Sequence, residues 1–281
     1  MTPEQARKEV RDAVVMDVSD LTLTAQGLPV AVRLYRPARP APAPVLMYFH
    51  GGGWVTGDLD THDSFCRVIA EWAGCAVVAV DYPRPPEQRF PAAVKSCYAA
   101  TLWIARHGTG LGLDTQRIAV AGGGSGGGLA AVICQMARDL GEARIGFQLL
   151  LYPVLDCLAR NRSRNEFATG FGLTAEVLEW YLSQYVPPDI PRQHPWLSPA
   201  RDPCLQGLPA ALIITAGCDL LRDEGRAFAR CLKKAGVPVR HKEYPGMRHG
   251  FLNYPASEPA ARRAVLLCSE ALAGYFHLPA G

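Results

Sequence analysis

Short apolar runs alternate with longer stretches of helical periodicity through most of the chain. The runs are VLMYFH, CAVVAVDY, RIAVAG, FQLLLYPV, ALIITAG and, near the end, the more polar VRHKEYPG. Strands that are apolar on both faces and separated by helices are typical of a parallel sheet that helices cover on both sides. The pattern therefore predicts an α/β fold, with helices near residues 64–73, 92–107 and 127–140.

Three regions depart from this rhythm. Near the N-terminus, LTLTAQGLPVAVRLYRPA alternates apolar and polar residues around a glycine, which predicts a half-buried hairpin. Before it, residues 1 to about 18 place alanine and valine at helical spacing, so we expect an amphipathic helix there. The segment 157–207 is polar, aromatic and proline-containing, and we interpret it as an inserted cap.

Length and composition favour one large domain. A chain of 281 residues with 49% hydrophobic side chains can bury one substantial core. We expect an N-terminal cap helix and leading hairpin in residues 1–40 and the first part of the core in 41–156. The inserted cap then occupies 157–207, and the second part of the core, with an acid and a histidine, occupies 208–281.

Composition also limits the partners of the protein. The formal charge is +3, and no basic run is interleaved with aromatic residues as single-stranded nucleic acid requires. No segment is apolar for long enough to cross a bilayer, and the N-terminus lacks the apolar core of a signal peptide. Nine scattered cysteines without CxxC spacing favour reduced thiols over a metal site. We therefore expect a cytoplasmic protein with a small-molecule substrate, no nucleic-acid or membrane partner, no metal and no cofactor.

A run of glycines follows the first apolar strand of the core. His50 is succeeded by Gly51, Gly52 and Gly53, and then by Trp54. Consecutive glycines let backbone N–H groups converge on one point, as the stabilisation of an oxyanion requires. An ordinary glycine-rich turn is the alternative interpretation of this motif taken alone.

A second glycine-rich stretch, AVAGGGSGGGLAAV, joins a predicted strand to a predicted helix. This is the context of a nucleophile elbow, and the pentapeptide GxSxG occurs literally at residues 123–127 with Ser125 at its centre. A phosphate-binding loop is the competing interpretation. The stretch lacks both a GK[ST] ending and an acidic residue at the ribose-binding position, so we favour the elbow.

An acid and a histidine follow the elbow in the chain order of an α/β-hydrolase triad. Asp219 ends the strand that contains ALIITAG, and His249 comes after the next strand. The histidine would act as a general base, and the carboxylate would fix its tautomer and orientation. We expect the nearby Asp223 and Glu224 to lie on a helix surface, and His241 to be a structural residue within a strand.

Together these motifs resemble the bacterial hormone-sensitive-lipase-like esterases over nearly the whole chain. The matching segments are YFHGGGWVTGDLDTHD, VVAVDY with RFPAAV, RIAVAG, LLLYPV, ITAGCDLLRDEG and YPGMRHGF. The resemblance implies an α/β-hydrolase core, in which a mostly parallel eight-stranded sheet is flanked by helices, and a small cap. It also implies a triad completed by Asp219 and His249, and it is compatible with a homodimer. The oxyanion hole would comprise the N–H groups of Gly52, Gly53 and the residue after the nucleophile.

The elbow departs from the pattern of this family. That pattern reads GDSAGGN, and an ungapped placement from both flanks puts it on residues 122–128. The nucleophile position is then Gly124, and Ser125 takes the position of the family's alanine. Placing Ser125 in the nucleophile position would need compensating insertions and deletions within one tight turn. A glycine has no side chain with which to form a covalent intermediate.

Four functions are compatible with this departure. The first, which we favour, is hydrolysis of a small, largely apolar ester, with a re-aimed Ser125 or a water activated by His249 as the nucleophile. The second is a lyase, cyclase, isomerase or decarboxylase that uses the Asp219–His249 dyad and the oxyanion hole. A ligand-binding protein without turnover and an engineered nucleophile knock-out of an ordinary esterase are the other two. As the residue after the nucleophile position, Ser125 is expected to contribute its backbone N–H to the oxyanion hole.

Several aromatic residues in the predicted cap bear on the substrate. They either form an apolar wall of the substrate pocket or pack the cap against the core. These residues are Phe167, Phe171, Trp180, Tyr181 and Tyr185.

Overall fold

The computed structural model describes residues 16–38, 41–253 and 258–277. Its strands are β1 (Asp17–Ala25), β2 (Leu28–Arg36), β3 (Ala43–Phe49), β4 (Ala76–Asp81), β5 (Leu113–Gly123), β6 (Phe147–Leu151), β7 (Ala210–Cys218) and β8 (Val239–Arg248). They form one eight-stranded sheet in the order β1-β2-β4-β3-β5-β6-β7-β8. The helix predicted over residues 1 to about 18 falls almost entirely outside the described residues.

The sheet is antiparallel at one edge and parallel elsewhere. Strand β2 pairs antiparallel with β1 and β4, and every other neighbouring pair is parallel. The predicted hairpin is confirmed, because β1 and β2 are joined at Gln26 and Gly27, whose φ angles of 50° and 77° suit a two-residue hairpin turn. The predicted mostly parallel α/β architecture is confirmed as well.

Seven α-helices occur in the described ranges. They are α1 (Asp63–Ala73), α2 (Ala92–His107), α3 (Ser125–Leu140), α4 (Arg162–Glu166), α5 (Ala175–Tyr185), α6 (Arg222–Lys234) and α7 (Pro259–Phe276). The helices predicted near residues 64–73 and 92–107 are confirmed. Helix α3 begins two residues earlier than predicted, because the turn that precedes it is completed at Gly124, which has a φ angle of 56°.

Alternate residues of each central strand enter two hydrophobic layers. In β3, Val45, Met47 and Phe49 belong to the layer that contains residues of α2, α3 and α6, whereas Leu46 and Tyr48 face the layer that contains residues of α1 and α7. Both faces of the sheet are thus covered, as continuous apolar strands require. The polar candidate residues lie beyond these apolar layers, at the carboxyl ends of the strands.

The segment predicted to be a cap contains α4, α5 and a short 3-10 helix, Pro199–Arg201. Of the five aromatic residues named from the sequence, only Tyr181 lines the cavity at the candidate site. Tyr185 is buried and stacks on Trp54, with ring centroids 4.8 Å apart. Packing against the core therefore accounts for more of these residues than a pocket wall does.

Two further observations concern the described ranges as a whole. None of their helices is long and apolar enough to cross a membrane. They also contain no group of three or more histidine, cysteine, aspartate or glutamate side chains arranged to hold a metal ion.

Candidate active site

A cavity of about 280 Å³ lies at the carboxyl ends of the central strands. It is lined by the glycine loop after β3, by the elbow between β5 and α3, by His249 after β8 and by Tyr181 of α5. The predicted residues Gly52, Gly53, Ser125 and His249 therefore share one cavity, as expected for loops that follow neighbouring parallel strands.

The acid and the base are in direct contact. His249 Nδ1 lies 2.8 Å from Asp219 Oδ2, and the Asp219 side chain is only 1% exposed. The other carboxylate oxygen accepts the Leu221 N–H at 2.9 Å. Because the proton on Nδ1 is held by the carboxylate, Nε2 is the nitrogen left to accept a proton from the cavity. The Tyr152 ring and the imidazole pack in an edge-to-face arrangement, with centroids 4.8 Å apart.

The elbow places Gly124 directly opposite this base. A Cβ atom built on Gly124 would lie 3.0 Å from His249 Nε2 and 3.4 Å from Cε1. The Gly124 N–H donates to the Leu151 carbonyl at 3.0 Å, and its carbonyl accepts the Val154 N–H at 2.9 Å. Backbone hydrogen bonds to β6 and the loop after it thus hold the turn in place without any contribution from a side chain.

The glycines that flank Gly124 support the ungapped register. A Cβ on Gly122 would lie 2.2 Å from the Gly126 carbonyl oxygen, and one on Gly126 would lie 2.0 Å from the Phe49 carbonyl oxygen. Neither position can carry a side chain without moving the backbone. Close approach therefore requires glycine at both positions that frame Gly124, and the turn is also tight at Gly127 and Gly128, where a Cβ would lie 2.8 Å from Pro153 Cβ and 2.5 Å from the Val154 carbonyl oxygen.

The Ser125 hydroxyl lies on a different side of the turn. Its Oγ accepts the Trp54 backbone N–H at 3.2 Å, and the residue is 1% exposed. In the part of the chain that the structure describes, no hydrogen bond joins Ser125 to His249. The structure therefore brings the Ser125 hydroxyl to the glycine loop and Gly124 to the base.

The glycine loop adopts a conformation that needs glycine at two positions. Gly52 and Gly53 have φ angles of 116° and 63°. A Cβ on Gly52 would lie 2.1 Å from the Thr56 carbonyl oxygen, and one on Gly53 would lie 2.2 Å from the Tyr181 ring. Among the described residues, neither the Gly52 nor the Gly53 N–H donates a hydrogen bond, so both amides remain for a ligand.

The prediction that Glu224 lies on a helix surface is wrong. Glu224 is 3% exposed, and its carboxylate accepts the Leu155 N–H at 2.8 Å and an Arg164 N–H at 2.7 Å. Burial raises the pKa of Glu224 to about 7, although the Arg164 guanidinium opposes this shift. Asp223, on the same turn, is partly buried and accepts the Ser163 N–H at 2.9 Å. The first turn of α6 is therefore an internal contact with α4 and the loop after β6.

Three cavity residues with polar or aromatic side chains were not predicted from the sequence. His62 immediately precedes α1, Tyr152 directly follows β6, and Asn253 ends a short 3-10 helix, Phe251–Asn253. Tyr152 could have been predicted from the sequence, because a polar or aromatic residue directly after a buried strand indicates a position at the carboxyl end of the sheet. His241 does not line the cavity, and its Nε2 lies 2.9 Å from Thr215 Oγ1 on β7.

Comparison with known proteins defines the class to which this fold and site belong. A profile of the alpha/beta hydrolase fold matches residues 46–253. The carboxylic ester hydrolase LipN of Mycobacterium tuberculosis is 41% identical over 244 residues, which cover 85% of this chain and 65% of LipN. The ethyl acetate hydrolase of Pseudomonas putida is 38% identical over 262 residues, which cover 91% of this chain and 82% of that enzyme. The structure of a thermostable Pseudomonas putida esterase is similar with a TM-score of 0.91 at 38% identity, covering 99% of this chain and 92% of that structure.

The chain belongs to the alpha/beta hydrolase fold family. Within it, the chain is a carboxylesterase-like hydrolase, and the resemblance to hormone-sensitive-lipase-like esterases is confirmed. It spans about 65% of the length of LipN.

Proposed function

We propose that this protein hydrolyses small, largely apolar carboxylic esters by direct attack of water, without a covalent acyl-enzyme intermediate. The observation that carries the proposal is the position of His249. Its Nε2 lies 3.0 Å from the point where a Cβ on Gly124 would lie, and Asp219 orients the ring. The base thus faces the nucleophile position of the family, and no side chain occupies that position.

The reaction is a general-base hydrolysis. His249 accepts a proton from water at Nε2 while its Nδ1–H remains on Asp219. The water oxygen bonds to the acyl carbon, and the carbonyl oxygen becomes an oxyanion that accepts hydrogen bonds from the cavity amides. The bond from the acyl carbon to the alcohol oxygen then breaks, and that oxygen takes the proton from Nε2. A carboxylic acid and an alcohol leave, and the imidazole is neutral again.

The attacking water approaches His249 from the cavity. A Cβ on Gly124 would lie 3.0 Å from Nε2, and it would be covalently bonded to the Gly124 Cα. The gap between that Cα and the imidazole is therefore too narrow for a water molecule. A water oxygen at about 2.8 Å from Nε2 must therefore lie beside this line, on the side where the ester binds. Water and ester then share the cavity of about 280 Å³.

Ser125 is the weaker candidate for the nucleophile. To attack an ester, its hydroxyl would have to give up the Trp54 N–H and rotate away from the glycine loop at the first residue of α3. Its backbone N–H needs no such change, because the first N–H groups of a helix have no partner within the helix. We therefore assign Ser125, with Gly52 and Gly53, to the oxyanion hole.

The cavity favours a short acyl group or a small ring. Its volume of about 280 Å³ is at the lower end for ligand pockets. Four aliphatic side chains and the ring of Tyr181 contribute to its lining: Val154, Leu173, Val177, Leu178 and Tyr181. A large acyl group would not have enough space, and a charged one would meet no charged partner among these side chains.

Two measurements test the proposal together. We expect the native protein to hydrolyse p-nitrophenyl acetate or butyrate without a pre-steady-state burst, and to remain unlabelled by a fluorophosphonate. Labelling that Ser125→Ala abolishes would overturn direct water attack in favour of a serine mechanism. Absence of hydrolysis with every short ester would overturn the hydrolytic function itself.

A second function is favoured by the same unobstructed base. With no hydroxyl in front of it, His249 Nε2 can remove a proton from a carbon next to a carbonyl, and the cavity amides can bind the resulting enolate oxygen. This chemistry leads to elimination, isomerisation, cyclisation or decarboxylation. The matching test is solvent deuterium exchange into the α-carbon of a small ketone, followed by NMR. We would expect His249→Ala to abolish the exchange.

A further inference from the structure

A second histidine lies beside the oxyanion loop, which we define as residues 50–53. His62 immediately precedes α1, is 7% exposed and lines the cavity. Its side chain does not cap the helix that follows it. The reaction steps above give this buried polar ring no role, although it contacts the loop on which the oxyanion would bind.

Two hydrogen bonds define the state of the His62 ring. The Gly51 N–H donates to Nε2 at 3.2 Å, and Nδ1 lies 2.8 Å from the Tyr48 hydroxyl oxygen. A ring nitrogen that accepts an N–H carries no proton, so the neutral ring has its proton on Nδ1 and donates it to Tyr48. Because Tyr48 lies on β3, His62 joins the first peptide of the loop to the strand that leads into it.

The loop is held at both ends. At the far end, the Gly52 carbonyl accepts the Thr56 N–H at 2.9 Å and the Val55 N–H at 3.1 Å. At the near end, a Cβ on Gly51 would lie 2.8 Å from the Gly123 carbonyl, so the loop packs directly on the elbow. A change at the Gly51 peptide would therefore shift the following amides relative to His249.

We propose that His62 is a positioning residue for the oxyanion hole. It acts through the Gly51 peptide: as the tautomer with an unprotonated Nε2, it holds the Gly52 and Gly53 N–H groups in the direction of the developing oxyanion. The proposal rests on the ester hydrolysis proposed above. It assigns to His62 no contact with the substrate and no proton transfer.

The test compares substitutions that remove or keep the acceptor. In His62→Leu the Gly51 N–H loses its partner, and we expect kcat to fall about 10- to 100-fold with KM within about twofold, because an oxyanion contact acts mainly in the transition state. His62→Gln offers an amide oxygen to the same N–H and should restore kcat to within about fivefold of the native value. The matched control is His241→Leu, which removes a hydrogen-bonded histidine outside the cavity and should leave kcat unchanged.

A separate background distinguishes failure of this proposal from failure of the proposed function. The same variants are made in Gly124→Ser, in which the serine provides the nucleophile. If the native protein hydrolyses esters and His62→Leu leaves kcat unchanged, the role of His62 is overturned and the proposed function is not. If esters are hydrolysed only in the Gly124→Ser background, direct water attack is overturned. The role of His62 is then tested by the effect of His62→Leu on kcat in that background. If neither background hydrolyses esters, both proposals fail.

A further variant applies if His62→Leu does not fold. Tyr48→Phe keeps the bond from Gly51 to His62 but removes the oxygen that holds the proton on Nδ1. We expect kcat to fall about two- to fivefold at unchanged KM, since one neutral hydrogen bond is lost. An unchanged kcat would overturn the proposal.

Discussion

The two halves of the candidate active site are built in opposite ways. In the acid–base half, side chains make the contacts: Asp219 and His249 are joined at 2.8 Å, and the Tyr152 ring packs against the imidazole. In the nucleophile half, no residue from 122 to 124 carries a side chain, yet backbone hydrogen bonds hold the turn. The shape of the elbow is therefore a property of its backbone contacts, and it persists without a serine.

The largest effect is expected at the intact half. His249→Ala removes the base, and we expect hydrolysis of p-nitrophenyl butyrate to fall about 10²- to 10⁴-fold. The control is His241→Ala, which removes a histidine that lies on β8 and outside the cavity. Hydrolysis within threefold of native in His249→Ala would contradict the role of His249 as the general base.

A substitution can introduce a hydroxyl into the nucleophile half. Gly124→Ser should raise hydrolysis about 10²-fold and allow fluorophosphonate labelling, because the hydroxyl then lies beside His249 Nε2. A φ of 56° makes a side chain there cost about 1–3 kcal/mol in stability. Gly124→Ala has the same strain without a hydroxyl, so it should lose stability equally and gain no activity. A Gly124→Ser protein that is folded, inactive and unlabelled would contradict an intact acid–base half.

The buried carboxylate behind the acid–base half should make stability depend on pH. The pKa of Glu224 is raised to about 7 from its ordinary value of 4.5, so the folded state holds this proton more tightly than the unfolded chain does. Its contribution to stability is then complete below about pH 4.5 and is lost as the pH rises through about 7.

Glu224→Gln should remove this dependence. Relative to the native protein, we expect the free energy of unfolding of the variant to increase by about 1–3 kcal/mol between about pH 5 and about pH 8, measured by urea denaturation. Glu166→Gln, on the exposed side of α4, is the control and should follow the native protein. Parallel curves for native protein and Glu224→Gln would contradict the raised pKa.

The smallest effect on turnover is expected at Ser125. Ser125→Ala leaves the backbone N–H in place, so hydrolysis should change less than about threefold. Stability should fall by about 1–3 kcal/mol, because the Trp54 N–H loses its buried acceptor. Activity assays and thermal unfolding of the same preparation measure both quantities. A loss of hydrolysis as large as that of His249→Ala would make Ser125 the nucleophile.

How far the sequence could predict the site depended on the range of the interactions involved. The vacant position at Gly124 follows from matching both flanks of the elbow, since strand, turn and helix are adjacent in the chain. Glu224 was misplaced, because its charged local context, RDEGRAF, is typical of a solvent-exposed turn. Its partners, Leu155 and Arg164, lie 60 or more residues away. His62 was not predicted from the sequence for the same reason, because its proposed role depends on a contact with Gly51 that only the fold creates.

By itself, the sequence determined the order of strands and helices, the family and the candidates Asp219, His249 and Gly124. These follow from apolar periodicity and from motifs whose spacing is local, so no distant contact was needed to find them. Only the tertiary structure decided that the Ser125 hydroxyl turns to Trp54 while the Gly124 position faces His249. In a turn so rich in glycine, the chain is free enough to aim a side chain in several directions. The contacts of Phe49, Leu151 and Val154 with the turn select one of them.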